Sequence, residues 1–172
     1  IYNYNTGSVH LLSAVIKEST SIFADEFAEQ YLLQPLGITD FYWNTDNQGF
    51  PNTGATHGGL KMKARDVAKY GFLYMNKGKW NNIQVISKNW IEESVKPRIN
   101  IDQTEQFGYL WRLGNYDIDG IKVNYDLSVG SGGQTLIIVP DLDLMIIFLC
   151  WNNSNDADIQ IFTVLILNSI LN

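Results

Sequence analysis

Residues 130–151 read GSGGQTLIIVPDLDLMIIFLCW, and this stretch decides the fold. Two apolar runs rich in β-branched residues, 135–139 and 144–151, flank the spacer Pro140-Asp141-Leu142-Asp143. Runs of this composition are typical of buried strands, and a short Pro/Asp spacer is typical of a turn. The stretch therefore predicts two antiparallel strands that are neighbours in one sheet.

Working outward, apolar residues recur at helical spacing in four earlier segments and in one later segment. Gly- and Asn-rich residues 39–60 predict a loop. An antiparallel sheet flanked by helices, class α+β, is the architecture that this order predicts, with 1–100 as the mainly helical part and 101–172 as the sheet and C-terminal helix of one domain. The predicted helices are 7–18 with Thr6 as N-cap, 21–33, 64–76 with Phe72 buried, a short one after Ser87, and 157–171 with Ile161, Phe162, Leu165, Ile166 and Ile170 inward; the further strands are 107–113 and 121–125.

Composition excludes several classes of function. The formal net charge is −6, whereas a surface that binds nucleic acid needs clustered Lys and Arg. The densest basic cluster, Lys61 to Lys69, is typical of a solvated helix face, so nucleic acid is not expected as a partner. No apolar run is long enough to predict a membrane span. His10, His57 and the single Cys150 lack metal-ligand spacing, so no metal or cofactor is expected, and Cys150 is interpreted as a small buried hydrophobe.

Four short motifs follow one another along the sequence. They are Tyr4-Asn5-Thr6-Gly7 before Leu11-Leu12, His57-Gly58-Gly59-Leu60 before the stretch 64–71 (ARDVAKYG), Gly78-Lys79-Trp80 before Trp90, and Gly130-Ser131-Gly132-Gly133-Gln134 before 139–144 (VPDLDL). Together they resemble, over nearly the whole chain, the broad serine β-lactamase family. This family includes class C β-lactamases, D-Ala-D-Ala carboxypeptidases, esterases and 6-aminohexanoate-oligomer hydrolases.

The resemblance implies acyl transfer through a covalent acyl-serine, with the nucleophile in a Ser-x-x-Lys motif upstream of the tyrosine motif. That motif is absent from the 172 residues. We therefore expect a C-terminal portion of a β-lactamase-like domain, whose partner is the N-terminal part with the nucleophile helix and further strands. Alone, such a chain is expected to be inactive, and its uncovered sheet edge predicts self-association into a homo-oligomer.

Tyr4 matches the family's catalytic tyrosine. A phenol is a poor base at neutral pH, but a nearby ammonium favours the phenolate, which can then carry a proton between serine and leaving group. The alternative is one packing tyrosine among nine. Thr6 occupies a position where the family often has a substrate-binding Asn, and its alternative is a plain helix cap. His57 could border the pocket or bond to the loop backbone.

The glycine-rich motif corresponds to the family's oxyanion strand. The resemblance assigns the backbone N–H of Ser131 to the developing oxyanion and makes Gly130, Gly132, Gly133 and Gln134 substrate-binding. The alternative is a bulge or turn joining two strands. Classical members of the family carry a lysine just before this motif, and that cation meets a substrate carboxylate. Residues 127–129 contain no Lys or His, so the resemblance points toward neutral amide, ester or peptide substrates.

Two functions therefore stay open for the whole protein. One is a serine hydrolase of amides or esters, and the other is a non-catalytic protein on the same fold that binds a peptide or cell-wall fragment. The family suggests a periplasmic or extracytoplasmic location, and a cytoplasmic one stays open.

Overall fold

The computed structural model describes residues 2–53, 59–151 and 161–171, and its centre is a six-stranded antiparallel sheet. Strands that follow one another in the chain are neighbours throughout this sheet, from Ile99–Asn100 at one edge to Leu144–Leu149 at the other. This simple meander follows from the short connections between the strands. The strands are β5 (Ile99–Asn100), β6 (Glu105–Phe107), β7 (Arg112–Ile118), β8 (Ile121–Gly130), β9 (Gln134–Val139) and β10 (Leu144–Leu149).

The predicted hairpin of residues 130–151 is confirmed. β9 pairs with β10 from Val139↔Leu144 to Gln134↔Leu149. The spacer forms a 3-10 turn over Pro140–Leu142, and Asp143 reverses the chain in the left-handed region with φ +48°. Pro fits the first position of such a turn because its φ is already fixed.

Helices and two small hairpins complete the described fold. The α-helix Ala24–Ala28 continues as one π-helical turn over Glu29–Leu33. The C-terminal helix is π-helical over Ile161–Leu167 and α-helical over Asn168–Leu171. The remaining elements are α1 (Thr6–Thr20), α2 (Ala24–Ala28), α3 (Ala64–Met75), α4 (Lys88–Ser94), and the paired strands β1 (Phe41–Trp43) with β2 (Leu60–Met62) and β3 (Lys79–Trp80) with β4 (Ile83–Gln84).

Both faces of the sheet are covered, which confirms the α+β architecture with helices flanking an antiparallel sheet. On one face the C-terminal helix packs Phe162 and Leu167 into a core formed with β8 and β9. On the other face α3 lies over β9 and β10, and Trp111 is buried there between Tyr70 and Tyr74 of α3 and the sheet. Alternating side chains of the strands supply both cores.

Several local predictions need correction. The N-cap of α1 is Asn5, not Thr6, because the Asn5 carboxamide accepts a hydrogen bond from the Ser8 N–H at 2.9 Å. The second helix begins at Ala24 rather than residue 21, because Ser21 takes the left-handed conformation that ends α1. The loop 39–60 contains strand β1 and the first residue of β2.

Other corrections concern which side chains are buried. Phe72 is exposed and packs edge-on against Trp80, while its neighbour Leu73 is fully buried. Ile161, Leu165 and Ile170 are exposed as well, because a π-helix has a longer repeat than the α-helical spacing used for the prediction. The predicted strand 107–113 is interrupted by a turn over 108–111, and Cys150 is half-buried rather than buried.

Candidate functional site

The glycine-rich motif forms the turn between β8 and β9. Gly130 pairs with Gln134, so Ser131, Gly132 and Gly133 are a three-residue loop. Gly132 and Gly133 have φ values of +100° and +88°, which side chains other than glycine rarely adopt. The motif therefore forms a turn that joins two paired strands, and its role in substrate binding stays a prediction.

The end of β10 holds this glycine turn in place. The Cys150 N–H donates to the Gly133 carbonyl at 3.0 Å. The Gln134 side-chain amide donates to the Gly132 carbonyl at 3.1 Å and to the Cys150 carbonyl at 2.9 Å. The Gln134 Nε2 group therefore bonds to backbone, and it fixes the turn whose exposed member is Ser131.

Tyr4 is exposed and lies just before α1. It lines a pocket of about 270 Å³ whose walls are mainly apolar, with Leu12, Phe107 and Leu110 among them. Leu110 has φ +65°, an uncommon conformation for a branched residue, which strained loops at binding sites often contain. Among the described residues, those of the glycine turn do not line this pocket.

The sheet register nevertheless brings the two elements to the same end of the molecule. Phe107 pairs with Arg112, and Arg112 pairs with Leu127, three residues before Gly130 on β8. From ordinary strand spacings, Phe107 lies about 14 Å from Gly130. The Tyr2 ring contacts the Phe107 ring at 5.0 Å, which ties the segment before α1 to this end of the sheet.

The remaining predicted residues fall in different places. Thr6 is exposed at the first turn of α1, and because Asn5 caps the helix, the Thr6 hydroxyl is not needed for capping. His57 lies outside the described residues. Leu127, one of three positions without a basic residue, is buried in the core beneath the C-terminal helix.

Sequence reasoning missed an ionic cluster beside Tyr2. The Arg112 Nε donates to the buried Glu105 at 2.9 Å. The Tyr125 ring lies over Gly114, where a Cβ would collide with it, and the Tyr125 hydroxyl reaches Glu105 at 3.5 Å.

The cluster shifts the pKa of two tyrosines. Burial raises the pKa of Tyr125 to about 12, and the Glu105 charge adds to that shift. Burial also raises the pKa of Tyr2, against the opposing charge of Arg112. The sequence offered only an acidic residue seven positions before an arginine, and the register that places Arg112 diagonally across from Glu105 was not predictable from it.

Metal-binding groups of side chains and membrane-spanning helices are both missing from the part of the chain that the structure describes. In ranges 2–53, 59–151 and 161–171, no three His, Cys, Asp or Glu side chains are grouped to hold a metal ion. Within the same ranges, each helix is too short or too polar to cross a membrane.

The chain has a β-lactamase/transpeptidase-like fold, which consists of the meander sheet and the helices on both its faces. A family model described as Beta-lactamase matches residues 2–165. The chain belongs to the beta-lactamase family.

Solved structures agree on the fold. The chain is similar to a candidate 6-aminohexanoate-dimer hydrolase from Bacillus anthracis, with a TM-score of 0.81 and 23% identity over 99% of this chain and 44% of that one. It is also similar to an octameric penicillin-binding protein homologue from Pyrococcus abyssi, with a TM-score of 0.73 and 21% identity over 98% of this chain and 43% of that one. A penicillin-binding protein from Bacillus halodurans has a TM-score of 0.69 and 14% identity over 98% of this chain and 56% of that one.

The chain thus spans about half the length of these structures or less. None of the curated proteins matches it significantly.

Proposed function

We propose that the whole protein is a serine hydrolase of amide or ester bonds that works through an acyl-serine intermediate. This chain contributes Tyr4 as proton carrier and the Ser131 N–H as oxyanion donor. The nucleophilic serine and its lysine belong to a part of the protein outside these 172 residues, which contain no Ser-x-x-Lys motif. The observation that carries the proposal is that the glycine turn and the Tyr4 pocket lie at the same end of one sheet.

The steps follow from these groups. The serine oxygen attacks the substrate carbonyl carbon while the hydroxyl proton passes to the Tyr4 oxygen. The negative charge on the former carbonyl oxygen is stabilised by the Ser131 N–H and the N–H of the serine itself. Tyr4 then gives its proton to the departing alcohol or amine, the acyl-enzyme forms, and water releases the acid through the reverse sequence.

The turn suits this role because hydrogen bonds from Cys150 and Gln134 hold its backbone without a substrate. Gly132 and Gly133 allow close approach of the backbone, and the Cys150 and Gln134 hydrogen bonds hold the loop. A preorganised N–H stabilises developing charge without reorganisation during the reaction. In this proposal Gly130, Gly132 and Gly133 line the acyl site, whereas Gln134 is a positioning residue that keeps the Ser131 N–H in place.

The substrate is proposed to be a neutral amide, ester or peptide at the reacting end. Leu127, Ser128 and Val129 offer no cation for a substrate carboxylate, and the Tyr4 pocket presents apolar walls. Thr6 and His57 would contact the polar parts of the substrate. The similarity to a structure described as a 6-aminohexanoate-dimer hydrolase supports a hydrolase.

Active-site labelling tests the proposal. The full-length protein is treated with a fluorophosphonate or β-lactam probe, and we expect one serine to be acylated. Tyr4→Phe should slow nitrophenyl-ester turnover about 10²- to 10⁴-fold, the usual contribution of a general acid–base group. Tyr2→Phe is the matched control and should keep most of the rate. The absence of serine labelling in the folded full-length protein, or equal effects of both variants, would refute the assignment.

A second candidate is a non-catalytic protein that binds a peptide or cell-wall fragment on the same fold. It is favoured by Thr6 in place of the family's Asn and by the missing basic residue in 127–129. The upstream coding sequence separates the two candidates, because a hydrolase requires an intact Ser-x-x-Lys motif there and a binding protein does not.

A further inference from the structure

A second and larger cavity lies away from Tyr4. Its volume is about 640 Å³, within the range of small-molecule sites, and it shares no lining residue with the Tyr4 pocket. The middle of β7 and β8 forms its floor, and the chain from Pro97 to Gln106 forms its wall. The proposed hydrolase does not use this cavity.

Asp126 is the distinctive group of the cavity. It lies on β8 between Leu113 of β7 and Ile138 of β9, so its sheet neighbours are apolar. In the described part of the chain, its carboxylate makes no hydrogen bond or ion pair. Burial raises its pKa to about 6, which is the expected result for a carboxylate that lacks a compensating charge.

The other carboxylates of the cavity already have partners. Asp102 accepts hydrogen bonds from the Thr104 and Glu105 N–H groups, and Glu105 is paired with Arg112. Lys122 is four positions from Asp126 on the same strand, with the two Cα atoms about 13 Å apart. Its charge does not contribute to the pKa shift of Asp126, which burial alone causes. Within ranges 2–53, 59–151 and 161–171, Asp126 therefore remains an acceptor without a compensating charge, and it lines the cavity.

The surroundings favour an organic cation over a metal ion. A metal needs several converging ligands, and no such group exists among the described residues. Asn100, Asn115 and Asn124 line the same cavity and offer both donors and acceptors to amide or hydroxyl groups. A carboxylate with surrounding carboxamides matches a ligand that has an ammonium or guanidinium group and a polar body.

We propose that this cavity is a binding site for a small amine- or guanidine-bearing molecule of amino-acid or short-peptide type, whose cation pairs with Asp126. The proposal is independent of the hydrolase assignment because it concerns binding at a separate site.

Calorimetric titration tests it with two matched probes. Nα-acetyl-lysine methylamide carries the ammonium, and Nα-acetyl-norleucine methylamide has the same backbone and an uncharged aliphatic chain. At pH 8 we expect the charged probe to bind at least about tenfold more tightly, the difference expected for one well-placed charged contact. Lowering the pH to 5 should remove most of that preference, because Asp126 then becomes protonated.

Two variants make the result specific. Asp126→Asn keeps the shape of the side chain and should abolish the preference for the charged probe. Asp141→Asn, at the exposed β9–β10 turn, changes the net charge equally and should leave the preference intact. Equal binding of both probes, failure of the charged probe to bind, or an unchanged preference in Asp126→Asn would each overturn the proposal.

Discussion

Strand β8 contains two polar regions that differ in how their groups are satisfied. At its C-terminal end, the glycine turn is held by backbone groups and the Gln134 amide, and the exposed element is a short piece of main chain. In its middle, Asp126 projects a single carboxylate that has no partner among the described residues. The first region is suited to stabilising a charge that appears during a reaction, and the second to binding a charge that is already present.

The largest expected effect concerns the backbone N–H at the turn. In the proposed full-length hydrolase, Ser131→Pro removes that N–H, whereas Ser131→Ala keeps it. We expect kcat to fall about 10²- to 10³-fold for the proline variant and little for the alanine variant, as for other oxyanion donors. Steady-state kinetics of ester hydrolysis provide the measurement, with circular dichroism as a check of folding. If Ser131→Ala loses as much activity as a folded Ser131→Pro, the side chain and not the N–H is responsible.

Asp126 gives the next largest effect, and this one is on stability. Its pKa is about 6 in the folded chain against a usual 3.8, so the fold disfavours the charged form. Well below pH 4 the carboxyl group is protonated in both the folded and the unfolded chain, and no stability is lost. As the pH rises from about 4 through 6, the unfolded chain releases the proton first and the native state loses stability. Two pKa units correspond to about 3 kcal/mol, so Asp126→Asn should stabilise the protein by up to about that amount at pH 8.

Chemical denaturation at pH 4 and pH 8 measures this difference. Lys122 of β8 and Asp102 and Glu105 of the facing wall also line the cavity, and they remain in both proteins. The stabilisation by Asp126→Asn should therefore be large at pH 8 and small at pH 4. A gain that does not depend on pH would show that ionisation of Asp126 is not its cause.

The contrast also explains what the sequence could predict. The hairpin of 130–151 and the glycine turn were predictable because Pro140, Asp143 and the glycines act locally, through their own backbone preferences. The position of Tyr4 at the same end of the sheet depended on family resemblance. The Asp126 cavity was not predicted, because it depends on the register that sets Leu113 and Ile138 beside one carboxylate, and register is a long-range property.

A smaller effect is expected from the side chain that fixes the turn. Gln134→Met keeps the volume but removes the hydrogen bonds to the Gly132 and Cys150 carbonyls. Leaving these acceptors unpaired should cost about 1–2 kcal/mol of unfolding free energy. The exposed Gln48→Met is the control, with a change within about 0.5 kcal/mol. Equal stabilities of the two variants would mean that the turn is rigid without Gln134.

The smallest effect concerns β10, which braces the glycine turn and pairs only with β9 in the described sheet. Its six residues contain no charge, and such an edge can pair with another copy. In the isolated 172-residue chain, for which self-association is predicted, Leu149→Lys at the exposed end of β10 should raise the dissociation constant of that association severalfold in sedimentation equilibrium. Leu165→Lys, on the exposed side of the C-terminal helix, removes similar apolar surface without changing the edge. Equal weakening by both variants would assign self-association to general apolar contact, and the edge would then have no special role.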